Sequence, residues 1–172
     1  DNDFKLSPTL LKTFLSPKTK AIILNSPANP TGAVYSPSEL AQIGEIAVRN
    51  NIYIVSDEIY ERLIYEKEHT SIASLDSDIY KLTVVINGVS KSYAMTGWRL
   101  GWCAGPADIL EKMAMLQQYS FVCAPSPAQV AGVTALKCDM SEQVAQYRRK
   151  RDMVYQALAE PFGLIKPAGA FY

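Results

Sequence analysis

The apolar positions of this chain fall into two kinds of segment, short continuous runs and longer runs with an apolar face. The short runs are bounded by polar or turn residues and predict buried strands, over residues 21–25, 52–55, 82–86 and 100–104. The longer runs carry apolar residues three and four apart and predict helices, over 8–15, 36–50, 108–119, 126–137 and 141–160. Strands that alternate with helices predict an α/β fold, with a mostly parallel sheet and helices on both faces.

Capping residues support two of these helix starts. Ser36 and Glu39, with Pro37 between them, have the spacing of a capping box, in which each side chain bonds the backbone of the other. Ser126 and Gln129 have the same spacing and predict a second capping box. Both helices are therefore expected to begin at a serine.

Composition restricts the class of protein. The chain has 172 residues, of which 48% are hydrophobic, which is typical of a globular domain. Its 17 basic and 17 acidic residues balance, so charge favours neither a nucleic-acid partner nor a membrane surface. No apolar run reaches the about 20 residues that span a bilayer, and Asp1-Asn2-Asp3 does not resemble a signal peptide.

Three cysteines lie far apart in small or apolar surroundings, at Cys103, Cys123 and Cys138. An odd number without a close pair predicts buried free thiols in a reducing compartment, and hence a cytoplasmic protein. The chain has no initiator Met and stops in the apolar run Gly169-Ala170-Phe171-Tyr172. We therefore expect a central piece of a longer protein, which by itself self-associates and turns over no substrate.

Polar residues gather where the predicted strands end. Asn25 and the turn that follows it come after the first strand, Asp57 and Tyr60 come after the second, and the segment 87–92 comes after the third. Since ligands of open parallel sheets bind at the carboxyl ends of the strands, these groups are expected at one edge.

Lys91 is the residue in this group with the most distinctive chemistry. A lysine at the carboxyl edge of a sheet can be desolvated, and desolvation makes the amine of a lysine more nucleophilic. By itself a lysine after a strand is more often a solvated loop residue. Arg99 follows between Gly97 and Gly101, and an arginine with small neighbours suits a phosphate group.

Three motifs together resemble those of class I aminotransferases, which are pyridoxal-phosphate enzymes of fold type I. They occur in the family's order and spacing, and the resemblance runs along nearly the whole chain. The motifs are Asn29-Pro30-Thr31-Gly32, Asp57-Glu58-Ile59-Tyr60 and the run from Ser90-Lys91 to Arg99-Leu100-Gly101. Residues 25–30 and 94–98 look most like bacterial aspartate or aromatic aminotransferases, and residues 167–172 resemble the start of the family's small domain.

The resemblance implies pyridoxal 5′-phosphate as cofactor and an amino acid and a 2-oxo acid as substrates. Lys91 would hold the cofactor covalently and then act as general base between the substrate's α-carbon and the cofactor. Asp57 would pair with the pyridine nitrogen and keep it protonated. Lys91 and Asp57 would therefore be catalytic residues, and the resemblance implies that Tyr60 is a third catalytic residue.

The remaining cofactor contacts are also implied by the resemblance. Tyr60 and Asn29 would hydrogen-bond the ring's 3-oxygen, and Ser90 and Arg99 would bind the phosphate. Residues 1–138 would be part of the large cofactor-binding domain, and 139–172 the long helix and start of the small domain. The family implies a homodimer, and its substrate-carboxylate arginine and ring-stacking aromatic residue have no counterpart in this sequence.

Other functions remain as alternatives. Asp57-Glu58 resembles the acidic end of a P-loop ATPase strand, but the phosphate-binding glycines are replaced by Val85 and Ser90. A metal site or a hydrolase triad would need His69, the single histidine, which is expected in a charged solvent loop. Two alternatives keep the same fold. One is a lyase or a cyclising enzyme that uses the same lysine, and the other is a truncated scaffold without activity.

Overall fold

A single sheet organises residues 3–172, and its four strands lie side by side in the order in which they occur along the chain. The computed structural model describes residues 3–172, so the polar start at Asp1-Asn2 lies outside the described residues. The strands are β1 (Ala21–Asn25), β2 (Tyr53–Asp57), β3 (Thr83–Gly88) and β4 (Gly101–Ala104). The helices are α1 (Pro8–Phe14), α2 (Pro37–Asn50), α3 (Ser77–Tyr80), α4 (Ala107–Ser120), α5 (Ser126–Ala135) and α6 (Ser141–Phe162).

The sheet is mostly parallel, which confirms the predicted fold class. β1, β2 and β3 run parallel, and β4 is antiparallel to β3. Every predicted strand and long helix is present, with ends displaced by at most a few residues. The short helix α3 and the 3₁₀ turns Ile72–Ser74 and Thr96–Trp98 were not predicted. They are too short to repeat a helical period, so the apolar pattern carries little signal for them.

Helices cover the two faces of this sheet unequally. On one face Ile22, Leu24 and Ile54 pack with Ile43 of α2 and Leu11 of α1 in the main apolar core. On the opposite face Ile23 is 79% exposed, and Tyr53 and Ile86 are also exposed. The described residues therefore bury one face of β1 and β2 much more deeply than the other.

The start of α2 forms as predicted, whereas the start of α5 does not. The Ser36 hydroxyl accepts from the Glu39 backbone N–H, and the Glu39 carboxylate accepts from the Ser36 backbone N–H, which completes the capping box. At α5 the predicted box is wrong, because the N-cap is Pro125 and no side chain caps the helix. The Gln129 amide instead donates to the carbonyl oxygen of Ala124 at 2.7 Å.

The cysteine prediction is half correct. Cys103, Cys123 and Cys138 are free thiols, but all three are exposed, so the expectation that they are buried is wrong. Local apolar sequence predicted burial, yet all four residues of β4 are exposed, and so are the segments after α4 and α5 that contain Cys123 and Cys138. Among residues 3–172 no helix is both long and apolar enough to cross a membrane.

Candidate active site

Asp57 is the last residue of β2 and lies at the edge where the three parallel strands end. Its side chain is half-buried, and its Oδ1 atom accepts from the backbone N–H of Ile59 at 3.2 Å. Within residues 3–172 this is the one hydrogen bond that the Asp57 carboxylate accepts. A second carboxylate oxygen at the sheet edge can therefore receive a cationic ligand.

Tyr60, Asn29 and Tyr172 form a triangle of polar atoms. The Asn29 amide nitrogen lies 3.0 Å from the Tyr172 hydroxyl and 3.4 Å from the Tyr60 hydroxyl. The two hydroxyls are 3.1 Å apart. Burial raises the pKa of Tyr60 above its ordinary value, so at neutral pH Tyr60 keeps its proton and can donate it.

The Asn25 side chain joins the Asn29 turn to the end of β2. Its amide nitrogen donates to the Asp57 carbonyl oxygen at 3.1 Å, and its amide oxygen accepts from the Asn29 backbone N–H at 2.8 Å. One side chain at the end of β1 therefore fixes the spacing of two predicted site residues. The sequence placed Asn25 at this edge but not in this role.

The loop that carries Lys91 is held against the turn after β2. The Ser92 hydroxyl donates to the carbonyl oxygen of Ile59 at 3.3 Å, although the two residues are 33 positions apart. The Lys91 Nζ atom lies 5.6 Å from the centre of the Phe171 ring, and that ring contacts Tyr60 edge-on with centroids 5.4 Å apart. Lys91 and Ser90 line a cavity of about 380 Å³.

Arg99 lies at the far side of this loop. Its backbone is left-handed, with φ 50°, and its exposed guanidinium donates to the carbonyl oxygen of Thr96 at 2.9 Å. Thr96 also lines the cavity that contains Lys91. Gly88 and Gly101 bring β3 and β4 together behind it, because a Cβ atom on Gly88 would lie 2.8 Å from the Leu100 carbonyl oxygen. The structure therefore brings Asn29, Asp57, Tyr60, Ser90 and Lys91 to one edge. Arg99 is connected to this edge through its hydrogen bond to Thr96 and does not line the Lys91 cavity.

The segment 167–172 was not assigned a role from the sequence, yet it closes this edge. The Gly32 carbonyl oxygen accepts from the backbone N–H groups of Ala168 and Gly169, and the Leu63 carbonyl oxygen accepts from Ala170. A Cβ atom on Gly32, at φ 67°, would meet the Pro167 side chain at 2.4 Å. These contacts deliver Phe171 and Tyr172 to Lys91 and Tyr60. The motif at residues 167–172 was the sequence signal from which a role at this edge could have been predicted.

Arg151 of α6 fixes the same segment from behind. Its guanidinium donates to the Glu66 carboxylate at 2.8 Å and to the Pro167 carbonyl oxygen at 2.9 Å, and it stacks on Tyr65 with 4.5 Å to the ring centre. The Tyr65 hydroxyl donates to the Ala170 carbonyl oxygen. Burial raises the pKa of Tyr65 to about 12, and the hydrogen bond from Arg151 lowers the pKa of Glu66.

Glu58 has different surroundings from its neighbour Asp57. Its buried carboxylate accepts from the hydroxyls of Ser56 and Ser71, each at 2.8 Å, and its other oxygen lies 2.9 Å from His69 Nε2. The expectation that His69 lies in a charged solvent loop is wrong, since its side chain is 16% exposed and pairs with Glu58. His69 belongs to a buried polar network.

Comparisons with known proteins find similar chains over nearly the whole length. A sequence model of the family described as Aminotransferase class I and II matches residues 1–172. Aspartate aminotransferase of Geobacillus stearothermophilus is 44% identical over 99% of this chain and 45% of its own length. Aromatic-amino-acid aminotransferase 2 of Thermococcus litoralis is 42% identical over 100% of this chain and 46% of its own length.

Solved structures give the same result for the fold. The crystal structure of an aromatic aminotransferase from Pyrococcus horikoshii has a TM-score of 0.94 and 40% identity, over 98% of this chain and 47% of that one. The chain thus spans about half the length of the relatives that it matches.

Proposed function

The chain belongs to the class I and II aminotransferase family, and from that premise we propose that the complete protein transfers an amino group between an amino acid and a 2-oxo acid. The proposed cofactor is pyridoxal 5′-phosphate, on which this family depends. The observation that carries the proposal is the convergence of Lys91, Asp57, Tyr60 and Asn29 at the carboxyl edge of one parallel sheet. Ligands of such sheets bind at that edge.

The chemistry of the residues fits this cofactor. Lys91 supplies an amine for a covalent link, and its Nζ atom lies over the Phe171 ring, 5.6 Å from the ring centre. Asp57 has a carboxylate oxygen to offer the pyridine nitrogen, and its negative charge would keep that nitrogen protonated. When bound, the cofactor supplies an electron-withdrawing ring next to the substrate's α-carbon.

Lys91 is the proposed general base. Once the substrate amine replaces it, its free amine would take the proton from the substrate's α-carbon and return it on the cofactor's C4′ atom. One flexible lysine would thus serve both proton transfers.

Tyr60 and Asn29 would hold the cofactor's 3-oxygen, and Ser90 and Arg99 its phosphate. Tyr60, like any tyrosine, keeps its proton at neutral pH, and burial raises its pKa further, so it suits an anionic oxygen as a donor. Arg99 carries a permanent charge on an exposed guanidinium, which suits a phosphate through paired hydrogen bonds. The hydroxyl of Ser90 would add a neutral donor from the Lys91 cavity.

Aspartate or an aromatic amino acid is the proposed substrate, with the names of two relatives in support. The proposal includes a homodimer in the cytoplasm. Free cysteines in the described chain support a reducing compartment, and exposed apolar side chains on α4 and α5 support burial against further protein.

Chemical trapping of the cofactor tests the proposal. The complete protein is incubated with pyridoxal phosphate, reduced with borohydride and digested, and the pyridoxyl mass is located by peptide mass mapping. We expect it on Lys91, and we expect Lys91→Ala to abolish amino transfer while the circular dichroism spectrum stays unchanged. Lys112→Ala, on exposed α4, is the matched control and should keep activity.

A pyridoxyl group on any other lysine would refute the assignment of Lys91. If Lys91 is labelled but a panel of amino acids with 2-oxoglutarate shows only elimination or cyclisation, the cofactor assignment stands and the proposed amino transfer is wrong.

A further inference from the structure

Tyr172 contacts both residues that are proposed to hold the cofactor's 3-oxygen. Its hydroxyl lies 3.1 Å from that of Tyr60 and 3.0 Å from the Asn29 amide nitrogen. Residues 29 and 172 are 143 positions apart, so this contact depends on the return of segment 167–172 to the sheet edge. None of the roles above uses the Tyr172 hydroxyl.

The hydrogens available in this triangle limit its possible arrangements. The Asn29 amide nitrogen can only donate. One hydrogen faces the Tyr172 hydroxyl at 3.0 Å, and the contact with the Tyr60 hydroxyl is long, at 3.4 Å, so the second hydrogen is available to the cofactor. Each phenol has one hydrogen, and one of them must lie between the two oxygens. If Tyr60 donates to Tyr172, Tyr60 has no hydrogen left for a ligand. If Tyr172 donates to Tyr60, the Tyr60 hydrogen is not used inside the triangle and can point toward a ligand.

We propose that Tyr172 is a positioning residue, whose hydroxyl donates to Tyr60 and thereby directs the Tyr60 hydrogen toward the anionic 3-oxygen of the cofactor. An anion next to Tyr60 favours this order, because each hydroxyl then donates toward the negative charge and the bonds polarise one another. This inference rests on the proposed function, since it assumes pyridoxal phosphate at the Lys91 edge.

The surroundings of Tyr172 are built to hold its hydroxyl in place. The backbone of residues 168–170 is hydrogen-bonded to Gly32 and Leu63, just before Tyr172. The neighbouring Phe171 ring stacks on Tyr147 of α6, with ring centroids 5.6 Å apart. A tyrosine on such an anchored segment loses little additional freedom when it bonds Tyr60.

The pH titration of the bound cofactor's visible absorbance measures the effect directly. A hydrogen bond to the 3-oxygen stabilises the deprotonated form of the Lys91–cofactor linkage, so it lowers the pKa of that linkage. Tyr172→Phe in the complete protein should therefore raise this pKa by up to about one pH unit, the size of one neutral hydrogen bond. Tyr60→Phe should raise it by at least as much.

The double variant separates positioning from direct contact. Because Tyr172 acts through Tyr60, adding Tyr172→Phe to Tyr60→Phe should shift the pKa no further. Tyr119→Phe, on an 87% exposed tyrosine of α4, is the matched control and should leave the titration unchanged.

Each result decides the inference. An unchanged pKa in Tyr172→Phe, or two shifts that add fully in the double variant, would overturn it while the borohydride label on Lys91 keeps the proposed function intact. If borohydride places no label on Lys91, the proposed function and the role of Tyr172 fail together.

Discussion

Side chains along the short strand β2 alternate between two faces, and the two faces have opposite environments. Ile54, Ser56 and Glu58 follow one face and are 0%, 2% and 3% exposed. Tyr53 and Asp57 follow the other face, where Tyr53 is exposed and Asp57 is half-buried. Because successive side chains of a strand point to opposite sides, adjacent residues of one kind can have different roles.

Asp57 and Glu58 show what this difference means for function. Both are carboxylates, but the Glu58 oxygens are already bonded to Ser56, Ser71 and His69. A buried carboxylate with its partners in place stabilises the fold and has little capacity left for a ligand. Asp57 has one bond from the backbone of Ile59 and lies at the open edge. The sparsely covered face therefore carries the proposed chemistry, and the buried face supports it.

The largest expected effect is on the rate of amino transfer in Asp57→Asn. The substitution keeps the shape but removes the charge that would hold the pyridine nitrogen protonated, and loss of such a group costs about 10²–10³ in rate. Steady-state kinetics of the complete protein measure it. The melting temperature should stay within error, and Asp78→Asn, on the exposed helix α3, is the control that keeps full activity. Turnover at the original rate would remove Asp57 from the catalytic group.

A matched pair of isoleucines tests the burial difference. Ile54→Ala should lower the free energy of unfolding by about 2–5 kcal/mol, because it leaves a cavity in the main core. Ile23→Ala, on the neighbouring strand and the opposite face, should change it by less than about 0.5 kcal/mol. Urea denaturation of both variants gives the two values. An equal loss in both would mean that further protein buries the Asp57 face as deeply as the Glu58 face.

Glu58→Gln should have a smaller effect, and mainly on stability. The amide places a donor where the carboxylate accepts from two serine hydroxyls and contacts His69, and a buried group left without a partner costs about 1–3 kcal/mol. Denaturation should show that loss, with the catalytic rate per folded molecule nearly unchanged. The control is Glu45→Gln, on the exposed face of α2, which should be neutral. A rate loss as large as that of Asp57→Asn would contradict the division between the two carboxylates.

Much of the fold followed from local pattern. Ala21–Asn25 and the body of α2 are present at the predicted positions, because continuous apolar runs and a capping box act over a few neighbouring residues. The order of strands and motifs also predicted that Asn29, Asp57 and Lys91 would meet, since parallel strands end at one edge. The roles of these residues and the domain boundary near residue 138 stay predictions.

Only the tertiary structure decided which distant groups complete that edge. The sequence contains Tyr172 and His69, but their partners, Asn29 and Glu58, depend on the path of the chain between them. The wrong predictions of buried cysteines and of a capping box at Ser126 have one cause. Burial and hydrogen bonding at these positions depend on neighbouring elements of the fold, not on local sequence spacing. Periodicity and motifs therefore determined the elements and the shared edge, whereas long-range packing determined which side chains face it.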